Sequence, residues 1–272
     1  MSIPYLPPEI LDWIVDLLHD EPKALKRCCL VSKSWVPRTR MHLFAEIIFH
    51  DEKRMKLWKK TFPDPSTSPA RYAKSLFFDR PQVVVAADAE PGGWISGFSH
   101  VVHLGVHSQG SFASGSFSLV PFHGLSPVLK SLRVSVPALP SSWIIDLSLS
   151  FPLLEDLAVN PDPYHGALDD NGGSFNGPLT AVQPPSPPMF TGSLELDMEE
   201  GMELIIRQLL SLPNGIHFRK LTLTWSYEED RLTTTALVER CSHTLESLDI
   251  TCGLFCRSVR CLRSHKITHN CL

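Results

Sequence analysis

No run of about 18 apolar residues occurs in the 272-residue chain, so the sequence offers no candidate for a membrane-spanning helix. The opening MSIPYLPPEI has neither the basic start nor the apolar centre of a secretory signal. No N-x-S/T acceptor for glycosylation occurs either. Cysteine is scarce and odd in number, seven in all, and Cys28 and Cys29 are adjacent within a helical pattern. That arrangement argues against a disulfide framework and for reduced thiols in the cytoplasm or nucleus. Catalytic signatures are also missing. There is no G-x-S-x-G elbow, phosphate-binding Walker loop, dinucleotide fingerprint or H-E-x-x-H. The stretch GSFASGSFS (110–118) lacks the lysine of a phosphate loop and reads as an inter-element turn. The twelve histidines are scattered, and no carboxylate pair has the spacing of a general acid and base. In the tail, Cys252, Cys256, Cys261, His265, His269 and Cys271 suggest metal ligation at first sight. Only three residues separate Cys261 from His265, where a zinc finger needs about 12, and no C-x-x-C occurs. The expectation is therefore a protein that is not itself an enzyme and takes no cofactor or metal.

Charge is nearly balanced, at −4 overall. Residues 1–60 hold 11 Lys/Arg against 8 Asp/Glu, and the other 212 hold 14 against 21. No dense basic patch interleaved with aromatics appears, so no nucleic-acid partner is expected. Hydrophobic residues make up 43% and charged residues 20%, the balance of a folded protein with a sizeable core.

The first 45 residues carry more apolar surface than so small a unit can hide. Pro8 suits a first helical turn and Glu9 its positive dipole end. Ile10, Trp13, Ile14, Leu17 and Leu18 then fall on one helical stripe, with Asp12, Asp16 and His19 opposite. Asp20 and Pro22 predict a second helix start. Along it Ala24, Cys28, Val31 and Trp35, widened by Leu25, Cys29 and Leu30, form another stripe. Pro37 is expected to end or kink this helix, and residues 38–46 to add a third short one carrying Met41, Leu43 and Phe44. Three such helices without disulfide or metal need a covering partner, either the rest of the chain or a second protein.

The combination of Leu6-Pro7, Glu9-Ile10, Ile14, Leu17-Leu18, Leu25, Leu30-Val31-Ser32, Trp35 and Leu43-Phe44 resembles an F-box, over about 15% of the chain. The resemblance implies that Leu6, Pro7, Ile10, Ile14, Leu17, Leu18, Leu25, Val31 and Trp35 dock on a Skp-family adaptor, and through it on a cullin. The protein would then be the substrate-recognition subunit of an SCF-type ubiquitin ligase. The alternative is an F-box scaffold or decoy outside a cullin complex. The Cys28-Cys29 pair departs from the usual pattern and reads as two small hydrophobes.

From residue 70 a second pattern recurs: a small or polar pair, then Leu-x-apolar. Its leucines are Leu76, Leu104, Leu132, Leu157, Leu194, Leu221 and Leu248, at intervals of 28, 28, 25, 37, 27 and 27. Intervals of 20–29 with L-x-L resemble leucine-rich repeats, here irregular and without the regular asparagine. Helical stripes stand between them: Met202, Ile205, Ile206, Leu209 and Leu210; Leu232, Ala236, Leu237 and Cys241; and Trp143, Ile144 and Leu147. The expected fold is α/β: a three-helix F-box (1–48), a helical linker (49–70), a curved leucine-rich-repeat-like solenoid (71–251) and an irregular, truncated tail (252–272). The long interval is a Gly/Pro-rich loop insertion at 160–189.

In L-x-L the flanking residues point inward and the middle one outward. The outward face should thus carry His103, His107 and Arg133, then Glu195, Asp197 and Asp249. These are the expected contacts for an unknown protein target, chosen by a basic-to-acidic gradient.

Overall fold

The computed structural model describes residues 7–79, 93–107, 122, 125, 127–135, 141–160, 190–197, 202–212, 215–225, 230–252 and 267–268. It is a mixed α/β structure organised on one sheet whose strand order follows the chain. The strands are β1 (Glu46–Phe49), β2 (Ser75–Phe78), β3 (His103–His107), β4 (Ser131–Ser135), β5 (Asp156–Val159), β6 (Ser193–Asp197), β7 (Lys220–Trp225) and β8 (Ser247–Cys252), all parallel. A two-residue β9 (Ile267–Thr268) pairs antiparallel with β8 at Ser247 and Leu248. Seven α-helices lie among the described residues: α1 (Pro8–Leu17), α2 (Pro22–Val31), α3 (Val36–Leu43), α4 (Glu52–Thr61), α5 (Ser141–Leu149), α6 (Met202–Leu210) and α7 (Asp230–Cys241). None is long and apolar enough to cross a membrane.

The repeated leucines set the register. Leu76, Leu104, Leu132, Leu157, Leu194, Leu221 and Leu248 are successive cross-strand partners. All but the last, which is partly covered, are buried. Each such leucine removed from water contributes about 1.5–3 kcal/mol. A backbone device repeats with them. The carbonyl two residues before each leucine accepts two successive N–H groups from the start of the next strand, at 2.7–3.3 Å. Ala45, Lys74, Val102, Lys130, Gly192 and Arg219 all do this. At Glu155 only Gly192 N–H is taken up; the next donor, Ser193 N–H, goes to Asp156 Oδ1 at 2.6 Å. Gly192 belongs to the same detail. A Cβ there would lie 2.3 Å from Asp156 Oδ1 and 2.9 Å from Glu155 O, so the carboxylate fits only against glycine.

Helices α5, α6 and α7 pack side by side, sharing one core with the leucine face. Parallel neighbours require such crossovers, since a tight turn cannot join them. On α6, Met202, Ile205, Ile206 and Leu209 are buried as the stripe predicts, and Gly215, at φ 69°, turns the chain back after it. On α7 the inward set is Thr234, Leu237 and Cys241, and Leu232 faces solvent instead of joining the stripe. At the other end, aromatic rings close the core. Phe49 lies 5.8 Å from Trp58, 5.5 Å from Phe78 and 5.4 Å from Trp94, all inside the range of favourable ring pairs.

Two expectations change. Residues 46–49 end no helix; they are the first strand, with Ile47 opposite Leu76, so the expected boundary at 48 falls inside the sheet. Isoleucine at the leucine position hid the repeat, although alternation and β-branching suit a strand. Pro37 does not end the second helix. α2 stops at Val31, a 3-10 turn follows at Lys33–Trp35, and Pro37 sits in the first turn of α3, where its missing N–H costs nothing. Along the first two residues of β8 runs β9. Leu6, residues 161–189, residues 110–118 and the tail residues Cys256, Cys261, His265, His269 and Cys271 lie outside the described residues.

Leu132 is fully buried in the middle of the sheet. Leu132→Ala should cost about 2–5 kcal/mol, measured as a lower urea midpoint with an unchanged slope.

Candidate functional site

Two exposed surfaces result. The first is on the N-terminal helices. α1 turns Val15 fully inward and leaves Ile10, Trp13 and Leu17 outside, with relative exposures of 42%, 63% and 68%. These three recur at i, i+3 and i+7 and so line one flank of the helix. Ile14 and Leu18 are half-buried beside them, and Pro7 is exposed. On α2, Leu30 and Val31 are exposed as well, and Trp35, in the following turn, is half-buried. Leu25 is different. It is only 1% exposed and has no surface to offer a partner; it holds α2 in place. Cys28 is buried and Cys29 Sγ lies 2.8 Å from the hydroxyl of buried Thr39, which donates to Trp35 O.

The polar side of α1 is not all solvated. Asp16 faces α3, where Arg38 and His42 stand one turn apart. Arg38 Nε donates to Asp16 Oδ1 at 2.6 Å, Arg38 Nη2 to Oδ2 at 2.5 Å, and His42 Nε2 lies 2.7 Å from Oδ1. The hydrogen bond from Arg38, then that from His42, holds the Asp16 carboxyl well below the usual carboxylate range, and Asp16 in turn raises Arg38. Asp12 adds a weaker attraction for Arg38, and the His19 and His42 rings are 6.4 Å apart.

The second surface is the outward face of the sheet. A groove of about 270 Å³ crosses β2 to β6. Its wall is the first residue of each strand, Ser75, His103, Ser131, Asp156 and Ser193, and its floor includes Phe77 and Ala158. Phe77 folds over Gly105, whose added Cβ would lie 2.2 Å from the ring. Arg133 and Glu195 reach across the small Ala158 between them and pair at 3.3 Å. Arg133 and Glu195, expected at different points of a basic-to-acidic gradient, thus neutralise each other locally. Asp156 is likewise engaged, accepting from Ser193 N–H and Oγ–H. Of the six expected target contacts, His103, Arg133 and Glu195 share the groove. His107, Asp197 and Asp249 do not line it. His107 stands opposite Ser135, Asp197 opposite Thr224 and Asp249 opposite Thr222. Among the described residues no cluster of three or more His, Cys, Asp or Glu side chains is placed to hold a metal ion.

Neither Asp16, Arg38 and His42 nor Phe77 was singled out from the sequence. The i, i+4 spacing of Arg38 and His42 was the available signal, but nothing local says that α1 lies opposite. Comparison with family models, curated proteins and solved structures returns no match.

The Arg133–Glu195 pair is exposed, so Arg133→Met or Glu195→Gln should shift folding stability by no more than about 0.5 kcal/mol in thermal melts. Asp16 has the opposite leverage. Its carboxyl is depressed in the folded state, so the contribution is complete above an unfolded aspartate's value of about 3.9 and fades as pH falls below it. Amide exchange along α1 should therefore be steady from about pH 7 to 5, after correction for intrinsic rates, and accelerate below about pH 4.

Proposed function

We propose that the chain is the substrate-recognition subunit of an SCF-type ubiquitin ligase, with the N-terminal helices acting as an F-box and the sheet domain as a leucine-rich-repeat-like target binder. The observation that carries this reading is the row Ile10, Trp13 and Leu17, exposed together on one flank of α1, with Leu30 and Val31 exposed on α2; the exposed apolar side chains elsewhere, such as Leu57, Leu153, Leu204 and Leu232, come from different elements. Aliphatic and aromatic anchors on one helix flank are what helix-in-groove recognition requires. The Skp-family adaptor would meet Pro7, Ile10, Ile14, Leu17 and Leu18, with Val31 and Trp35 at the margin. Leu25 leaves the docking set because it is buried. In-register leucines at intervals of 25–28, with sequential parallel strands, support the repeat reading.

Chemistry in this reading belongs to other subunits. The protein's part is proximity: a target held on the outward sheet face stands near the charged ubiquitin carrier, which raises the effective concentration of its lysines. The groove around Phe77, His103, Arg133 and Glu195 is the proposed target contact. In the scaffold or decoy alternative the same helix row binds the adaptor but recruits no cullin.

Purified protein should capture a recombinant Skp-family adaptor, and Ile10→Asp with Leu17→Asp should weaken capture at least about 30-fold without changing the melt of the sheet domain. Undiminished capture would remove the row from the docking face. Co-capture of cullin separates the ligase subunit from the scaffold.

A further inference from the structure

The wide apolar stripe on α1 poses a problem for the protein itself. Ile10, Leu11, Trp13, Ile14, Val15, Leu17 and Leu18 are all apolar, and the helix turns Val15 fully and Leu11, Ile14 and Leu18 partly inward while Ile10, Trp13 and Leu17 stay outside. Burial alone discriminates poorly between this roll and one that turns Ile10, Trp13 and Leu17 in, because apolar residues cover both flanks. With apolar residues over so wide an arc, packing fixes how deep α1 sits more sharply than its rotation. At 3.6 residues per turn, each residue moves about 100° around the axis. An attachment beyond the apolar arc fixes the rotation, and Asp16, next to Val15, supplies one.

We infer that Asp16 is a positioning residue: clamped by Arg38 and His42 of α3, it fixes the roll of α1 so that Ile10, Trp13 and Leu17 face a docking protein. This rests on the reading of that row as the adaptor-binding face. Three features argue for it. The Arg38 contact is bidentate, through Nε and Nη2 to both carboxylate oxygens, and such forks fix orientation as well as distance. His42, one turn along α3, bonds the same carboxylate from a second point. Rolling α1 to bury the stripe would pull Asp16 away and leave Arg38 half-buried without its carboxylate. A polar contact that selects one arrangement over a competing apolar one is a recognised use of such pairs. Nothing in this role requires Asp16 to touch the partner.

The test has two arms, each run on the full chain. In hydrogen exchange without adaptor, Asp16→Asn and Arg38→Met should each speed exchange of α1 amides about fivefold or more, while β4–β7 amides keep their protection. Unchanged α1 exchange would overturn the clamp whether or not an adaptor binds. In the second arm, binding of a recombinant Skp-family adaptor is measured for wild type, both single variants and the double. Each single variant should lose about tenfold, and the double should lose no more than either, because both remove one coupled contact. Losses that multiply would mean that Asp16 meets the partner directly, and losses under about twofold would mean that the roll is immaterial; either overturns the positioning role. A wild type that binds no adaptor removes the docking reading, and the exchange arm still decides the clamp. His42→Gln gives a milder second variant should Arg38→Met disturb folding.

Discussion

The structure depends on the stacking of one leucine per unit, in register, along a parallel sheet. Leu76 to Leu221 are buried side by side because neighbouring strands present an aliphatic residue at the same height, isoleucine on β1 and leucine on the others. A strand displaced by one residue would turn its leucine to solvent and its polar neighbour inward. The doubled hydrogen bond at the start of every strand from β2 to β8 except β6 guards against that slip, since one carbonyl receives two donors from the next unit. No unit has a core of its own, so stability passes from neighbour to neighbour. At the first edge, α4 and a cluster of aromatic rings close the stack; at the last, β9 covers part of β8.

That economy makes the N-terminal helices conspicuous. The exposed apolar side chains of the sheet domain, such as Leu204 and Leu232, lie on different elements, whereas α1 keeps Val15 inside and exposes Ile10, Trp13 and Leu17 together on one flank. The arrangement is held by charge as much as by packing, through Asp16, Arg38 and His42. In the proposed role this is coherent: apolar surface withheld from the protein's own core is available to a partner's cleft. The outward sheet face works by different means. Its backbone groups are committed to the ladder, so recognition there falls to side chains such as Phe77, His103, Arg133 and Glu195, standing over the small Gly105 and Ala158.

Local periodicity was readable where one face of an element is buried against a repeating neighbour. The seven leucines, the α6 stripe and the inward and outward alternation of β2, β4, β5 and β6 follow from the order of residues alone. Legibility failed where the deciding neighbour is distant or atypical. Ile47 replaced the leucine that would have marked β1. Pro37 carries the same φ preference whether it stops one helix or starts another, and the 3-10 turn before it decides. Leu25 and Val31 are both apolar residues of α2, about 120° apart around the axis; the position of α3 decides which is buried and which exposed. Arg133 and Glu195 stand 62 residues apart, so their pairing needed the knowledge that β4 and β6 flank a strand carrying alanine.

By itself the sequence determined the alternating class of structure, the unit length, the inward leucines and an apolar excess near the N-terminus, because each rests on spacing within a few turns or strands. Tertiary structure alone decided which way α1 rolls, where the sheet begins, which charges cancel and which of the N-terminal apolar residues remain on the surface. Those outcomes compare burial of one face with burial of another, and that comparison exists only once elements far apart in the chain are brought into contact.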